Sequence, residues 1–373
     1  MLLTLLCPVY NIDLKYLVQS LENQTEKYFT LHILDYGSDE KYAQSYDNLT
    51  QKYNFIQYFR LDFGYKKYWN RSLVLNIGLK NIKTSYIFVI DADLWLSPQF
   101  FSLLKEKLKE NTFFQCLLYR IKSQKDNELF FKNQDFECQL ANPQSAFGIA
   151  IFTKKNIQQI GGYDTFFRVW GMEDLELKDA FEKFNYKIEQ IYFEEAKIFH
   201  IWHKPNYLDL PTHWQEIIKE HRKNNFLATQ RDNFLAQTPS TFSTNAQELI
   251  KNKKLSAENQ FIFQFPLTYN KAKWYQKWYQ LNENEYIWIS QSFEEITKKN
   301  TLASRFFSFC NKILKKINIS YRFVNIHETL EYVSYKDLKD FIFYFVLTHE
   351  NQIKDYYLEE NENKIEFLVI KKI

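Results

Sequence analysis

The sequence predicts an α/β fold with a mainly parallel central sheet, followed by a smaller C-terminal domain of different character. Three observations predict it. Short apolar strand patterns alternate with helical spacings through the first quarter of the chain. Polar groups collect at the carboxyl ends of those strands, where open α/β sheets hold their ligands. All seven glycines (Gly37, Gly64, Gly78, Gly148, Gly161, Gly162 and Gly171) precede residue 172, so sharp turns and close backbone approaches are expected in the first half.

The elements follow in order. Leu2–Cys7 reads as a short buried strand closed by Pro8, and Leu14, Leu17, Val18 and Leu21 recur at helical spacing. Leu31–Leu34 is a second strand, ended by Asp35-Tyr36-Gly37-Ser38. Phe55–Arg60 is a third, and Ser72–Leu79 a helix. Tyr86–Ile90 is a strongly apolar fourth strand that stops at Asp91-Ala92-Asp93. Farther on, Leu177–Phe184 reads as a helix with Glu173 and Asp174 at its N-terminus.

At 373 residues the chain can bury a substantial core, and its formal net charge of +3 argues against a dedicated nucleic-acid binder. Cys7, Cys116, Cys138 and Cys310 lack metal-ligand or redox spacing and read as reduced structural thiols. Met1–Cys7 is too short and lacks the basic start of a secretory signal, and no apolar run reaches membrane-spanning length. A cytoplasmic protein is expected, soluble or peripheral at the inner membrane face. The domain boundaries expected are 1–225, a polar linker region 226–260 around Thr238-Pro239-Ser240-Thr241, and an accessory domain 261–373.

Three constellations carry chemistry. Asp91 and Asp93 flank an alanine directly after a buried strand, so their carboxylates project to one side if strand geometry persists. Such a pair suits Mg²⁺ or Mn²⁺ shared with a diphosphate, although a polar loop after a strand has the same appearance. In the second segment, Trp170-Gly171-Met172-Glu173-Asp174 leads into a helix whose dipole favours acids there. An ionised carboxylate in that place could act as a general base, and acids are also routine in first helical turns. His200 and His203, three apart, could serve a metal or a phosphate.

Taken in order, Pro8-Val9-Tyr10-Asn11, Asp35-Tyr36-Gly37-Ser38, Asp91-Ala92-Asp93 and Trp170-Gly171-x-Glu173-Asp174 resemble the GT-A (Rossmann-like) glycosyltransferases of the family 2 type. The second segment is similar to the galactosyltransferase and N-acetylgalactosaminyltransferase group, whose plan bacterial chondroitin-type polymerases share. The resemblance covers about residues 1–205. It implies that Pro8, Tyr10 and Asp35 line a uridine pocket, that Trp69 flanks the uridine, and that Arg71 approaches the diphosphate. Arg suits that task through its permanent charge and forked donors. It further implies that Asp93 and His200 bind the metal, with Asp91 nearer the ribose or a metal-bound water and His203 near the diphosphate. Ala146, Phe147, Gly148 and Trp170 would shape the donor side of the cleft. Glu173 would hold a sugar hydroxyl, and Asp174 would be the base.

Met172 stands where relatives commonly have glycine, and Leu175 where galactosyltransferases carry another aspartate, so sugar preference does not transfer. The expectation is a UDP-sugar-dependent transferase of a hexose or N-acetylhexosamine, inverting, with Mn²⁺ or Mg²⁺ as cofactor. Its acceptor would be a glycan or lipid-linked glycan in bacterial surface polysaccharide, lipopolysaccharide or glycoprotein glycan synthesis. The alternatives are a sugar-phosphate nucleotidyltransferase using the same Asp pair, or a non-catalytic carbohydrate-binding scaffold on a transferase fold.

The C-terminal third offers two further patterns. Between Ile296 and His327 stand seven Lys/Arg and no acid. Phe306, Phe309, Ile313 and Ile317 recur at helical spacing there, so residues 302–319 read either as a helix on an anionic membrane surface or as one packed into a small core. Trp274, Trp278 and Trp288 could stack on sugars or fill that core.

Overall fold

The computed structural model describes residues 3–61, 68–144, 147–204, 210–238, 255–261, 267–293, 335–361 and 364–372. Gly64, the Ser145-Ala146 pair, Pro239–Thr241 and the 302–319 segment, all singled out in the sequence, lie outside the described residues. The chain forms two compact units, Met1–Phe242 and Ser243–Ile373.

The first unit opens with β1 (Leu3–Val9), α1 (Lys15–Glu22), β2 (Phe29–Asp35), α2 (Glu40–Lys52), β3 (Ile56–Arg60), α3 (Arg71–Asn81) and β4 (Tyr86–Val89). β5 (Leu94–Leu96), α4 (Phe100–Lys107), β6 (Thr112–Cys116), β7 (Leu118–Ile121), α5 (Gln124–Phe131), β8 (Cys138–Leu140), β9 (Ala150–Thr153) and α6 (Lys154–Gln159) follow. α7 (Glu173–Lys183), β10 (Lys187–Ile191), β11 (Ile198–His200), α8 (Trp214–Leu227) and α9 (Phe234–Gln237) complete it.

Seven strands form the central sheet in the order β10-β6-β9-β4-β1-β2-β3. β1 is parallel to β2 and β4, β2 to β3, and β10 to β6, while β9 runs antiparallel to both its neighbours. The sheet is thus mixed and mostly parallel, and both its faces are covered by apolar layers. One layer joins Leu5, Leu31 and Phe88 to Leu17, Leu21 and Phe101. The other joins Leu6, Leu34 and Phe152 to Val74, Leu75 and Phe181. Burial on both faces explains why these strands read as continuous apolar runs rather than alternating ones.

Pro8 does not end β1, as its missing N–H suggested, but lies within it. Odd-numbered residues of β1 point their main-chain groups at β2, since Leu3 N donates to Tyr28 O and Val9 O accepts from Tyr36 N. Even-numbered ones face β4, whose pairing stops at Leu6↔Val89. Pro8 therefore occupies a position where no ladder bond is asked of it.

A second sheet, β5-β11-β7-β8, lies in the same unit and extends from the end of the Asp91–Asp93 segment. The second unit pairs β12 (Tyr286–Ser292), β14 (Lys364–Lys371) and β13 (Ile353–Asn361) as an antiparallel sheet in the order β12-β14-β13. It also holds α10 (Leu267–Gln280) and α11 (Tyr335–Thr348). Trp274 and Trp278 are fully buried, Trp274 packing edge-on to Phe345 at 5.3 Å between ring centroids and Trp278 at 5.2 Å. These two tryptophans are core residues. Trp288 is half-buried against Tyr357 and Leu368.

Candidate active site

The strand ends bring the expected residues together in three groups. At the end of β1 and β2, Tyr10 and Trp69 lie nearly parallel, 6.4 Å apart, and Tyr36 stands edge-on to both. Tyr36 donates to Tyr68 O at 2.6 Å, which fixes the chain entering α3. Asp35 is fully buried, its Oδ1 accepting from Gly37 N and Ser38 N while Oδ2 accepts from Tyr58 at 2.8 Å. It shapes the loop after β2 with every oxygen engaged, and Pro8 is buried beside it in β1.

The second group centres on Arg71, the first residue of α3. Asn70 caps that helix by accepting from Leu73 N. The Arg71 guanidinium donates to Asp91 Oδ1 at 2.8 Å and to Gly148 O at 3.2 Å, and lies 3.6 Å from Glu173 Oε1. A methyl added to Gly148 would sit 3.8 Å from Asp174 Oδ2 and 3.9 Å from Asp91 Oδ2. Both carboxylates therefore converge on the space above this glycine. Phe147 is buried in the core below it.

Electrostatics follow from this crowding. Burial, with Asp174 alongside, pushes Glu173 up to about 7 against the pull of Arg71. Burial also raises Asp174 and Asp91, Asp91 further through Asp93. Burial opposes the charge on Arg71, but Asp91 and Glu173 outweigh it and hold the guanidinium ionised.

The segment that delivers Glu173 and Asp174 is strained. Trp170 N donates to Arg168 O at 2.7 Å around Val169, whose φ of 54° is rare for a β-branched residue. Gly171 follows at φ 112° and Met172, the N-cap of α7, at φ 70°. The positive φ shows what a glycine at 172 would ease. At the two non-glycine residues such backbone costs roughly 1–3 kcal/mol each and persists only where surroundings impose it. Here Val169 N donates to Trp69 O at 2.8 Å, and the buried Trp214 of α8 donates its indole N–H to Trp170 O at 3.3 Å. Ile218 of α8 would lie 3.3 Å from a Cβ on Gly171. The Trp170 indole itself is 63% exposed.

The third group is a triad. Nε2 of His200 and Nε2 of His203 lie 3.1 and 3.2 Å from the same oxygen, Asp93 Oδ2. One ligand atom from each of the three residues falls within 4.8 Å of the others. The other oxygen, Oδ1, is buried and has no hydrogen-bond partner. Burial opposes the Asp93 charge, yet the two imidazoles hold the carboxyl well below the usual range, and His203 is raised in return. An orphaned carboxylate oxygen with two imidazole nitrogens fits a divalent transition cation such as Mn²⁺.

Sequence reading did not find α8, which clamps the strained segment, nor Asn127 of α5, which holds the chain between the two histidines. Neither carries a motif, since each acts on main-chain atoms of distant residues.

Residues 4–172 match the family model of glycosyl transferase family 2, somewhat under half of the chain. No curated protein matches the sequence. Among solved structures, GalNAc-T7 with UDP, GalNAc and Mn²⁺ is similar at 14% identity, over 61% of this chain and 51% of that one, with a TM-score of 0.46. S. aureus TarS is similar at 14% identity, over 69% of this chain and 45% of that one, at 0.45. Residues 1–349 of TarS with UDP-GlcNAc give 13%, 69%, 77% and 0.46. This chain thus spans about half of the GalNAc-T7 and TarS chains. The family match supports reading the first unit as a glycosyltransferase domain.

Proposed function

We propose that the protein is a divalent-metal-dependent glycosyltransferase that moves a hexose or N-acetylhexosamine from a UDP-sugar to a hydroxyl of a glycan or lipid-linked glycan. Bacterial surface polysaccharide, lipopolysaccharide or glycoprotein glycan synthesis would be its setting. One observation carries the reading above all. The Asp93–His200–His203 triad and the Arg71–Asp91–Glu173–Asp174 group both border the strand end that carries Asp91-Ala92-Asp93, which lies within the residues 4–172 matched to glycosyl transferase family 2.

In this reading the Tyr10–Trp69 pair holds the uracil ring by stacking. Asp93, His200 and His203 hold the cation, which when bound supplies positive charge against the departing diphosphate. Arg71 adds its own fixed charge there. The acceptor oxygen forms a bond to the anomeric carbon as the bond to the diphosphate oxygen breaks, its electron pair leaving with the diphosphate. Asp174 takes the acceptor's proton, and Glu173 holds a sugar hydroxyl. A carboxylate base opposite the leaving group gives inversion at that carbon.

Calorimetric titration with UDP and several UDP-sugars, each with Mn²⁺ and with chelator, tests this. Metal-dependent binding of one UDP-sugar is expected, and Asp174→Asn is expected to keep that binding while turnover falls roughly 10²–10⁴-fold. Folded protein that binds no uridine nucleotide would refute the reading.

A further inference from the structure

The two histidines of the triad stand on main chain that leaves a strand. β11 pairs with β5 and β7 as far as His200, opposite Leu94 and Arg120, and Ile201 N makes one more bond, to Asp93 O at 2.9 Å. There the ladder ends, and Trp202 follows, next to the second ligand. The side-chain amide of Asn127 takes over at that point. Its Nδ2 donates to Trp202 O at 2.7 Å, and its Oδ1 accepts from Trp202 N at 3.0 Å. The pair of bonds reproduces what a neighbouring strand would offer, and the main-chain donor and acceptor fix which way the amide points.

Asn127 is only 5% exposed, and its helix is itself tied to the ligand-bearing strands. Asn127, Phe130 and Phe131 share one face of α5 by their spacing. Phe130 packs against Trp95 at 5.8 Å and Phe199 at 5.0 Å, and Phe131 against Trp95 at 5.3 Å. Trp95 is two residues from Asp93, and Phe199 is next to His200. One helix face thus grips the strand after the carboxylate, the strand before the first imidazole, and the chain between the imidazoles.

We infer that Asn127 is a positioning residue for the metal centre, setting the spacing of His200 and His203 so that both reach Asp93; this rests on the metal reading above. An imidazole free to swing would hold the cation by one nitrogen fewer at any instant. Partners that orient metal ligands commonly account for 10–100-fold in affinity.

The test is Mn²⁺ affinity of the full chain, read by electron paramagnetic resonance of free Mn²⁺ without any sugar nucleotide, for wild type, Asn127→Ala and Asn127→Asp. Thermal melts in chelator run in parallel. Asn127→Ala is expected to weaken Mn²⁺ binding 10–100-fold while melting cooperatively in chelator. Asn127→Asp keeps the acceptor for Trp202 N and loses the donor to Trp202 O, and should fall between. If the alanine variant does not melt cooperatively, the aspartate variant decides. Wild-type affinity in both variants would overturn the inference, as would loss of a cooperative melt in both, which would make Asn127 a residue of the fold. Wild-type protein that binds no Mn²⁺ would instead remove the metal reading and this inference with it, a distinguishable result.

Discussion

Glu173 and Asp174 are adjacent acids at one helix start, and their neighbours divide the work between them. Arg71 lies 3.6 Å from Glu173, while Asp174 Oδ1 is occupied by Leu175 N at 2.8 Å. The proton on Glu173 has a measurable consequence for stability. Its carboxyl sits at about 7 in the folded chain against an ordinary 4.5. Between those values the folded state keeps the proton and the unfolded state has lost it, so stability falls as pH rises through the window and levels off above 7. The difference corresponds to about 3 kcal/mol. Glu173→Gln removes that slope. Its stability relative to wild type should therefore rise by that order from pH 4.5 to pH 8, as read by urea melts at each pH, and parallel curves would contradict the assignment.

At the scale of elements, α7 is held where it is by a buried ion pair. Arg231 donates to both carboxylate oxygens of Glu176, at 3.2 and 2.8 Å, and each side chain is 3% exposed. The same guanidinium donates to Ile160 O and Gly162 O. It thus joins the start of α7 to the turn after α6. Gly161 and Gly162 both have φ of 84°, and a Cβ on Gly162 would lie 2.7 Å from Asn76 Oδ1, so neither position admits a side chain easily. Arg231→Met would leave Glu176 buried without its partner. The expected loss is about 3–5 kcal/mol, or roughly 10 °C in the melting of this unit, read by calorimetry. A shift of a degree or two would show that the pair is dispensable.

These elements also show what could be read beforehand. The strands from β1 to β4 and the helices α1 and α3 were legible because each carries an apolar run or face over several residues, and Asp91, Asp93, Glu173 and Asp174 because they punctuate strand and helix ends. The reversal of β9 was not legible. Ala150–Thr153 is a four-residue apolar strand, and nothing in so short a run encodes direction. The Arg231–Glu176 pair, the Asn127 bridge and the α8 clamp escaped for another reason. Each depends on residues 44 to 75 positions apart, whose types are ordinary on any surface. Family likeness implied that Tyr10 and Trp69 each border a uridine; that the two rings face each other 6.4 Å apart is a finding of the structure.

On the scale of the whole molecule, every residue assigned to donor, metal or proton transfer falls in Met1–Phe242. A protein consisting of residues 1–242 should fold cooperatively and bind UDP and Mn²⁺ with the affinity of the full chain, as measured by calorimetry. A tenfold weakening, about 1.4 kcal/mol, would place part of the binding energy outside the first unit. The second unit has its own aromatic core around Trp274, Trp278 and Phe345, and accessory contact with acceptor, a second copy or membrane is the role we propose for it. Among the described residues no helix is long and apolar enough to cross a membrane.

The reversed strand β9 has a consequence for how the protein is made. During synthesis β1, β2, β3 and β4 emerge first and can pair with one another, so the end of the sheet beside Tyr10 and Trp69 can take shape early. Gly148, whose carbonyl receives Arg71, lies two residues before β9, and β9 must slot between β4 and β6 after both exist. α7, which brings Glu173 and Asp174, arrives later still. The growing chain therefore completes the aromatic pair proposed for the uracil before it receives the acids proposed to act at the sugar.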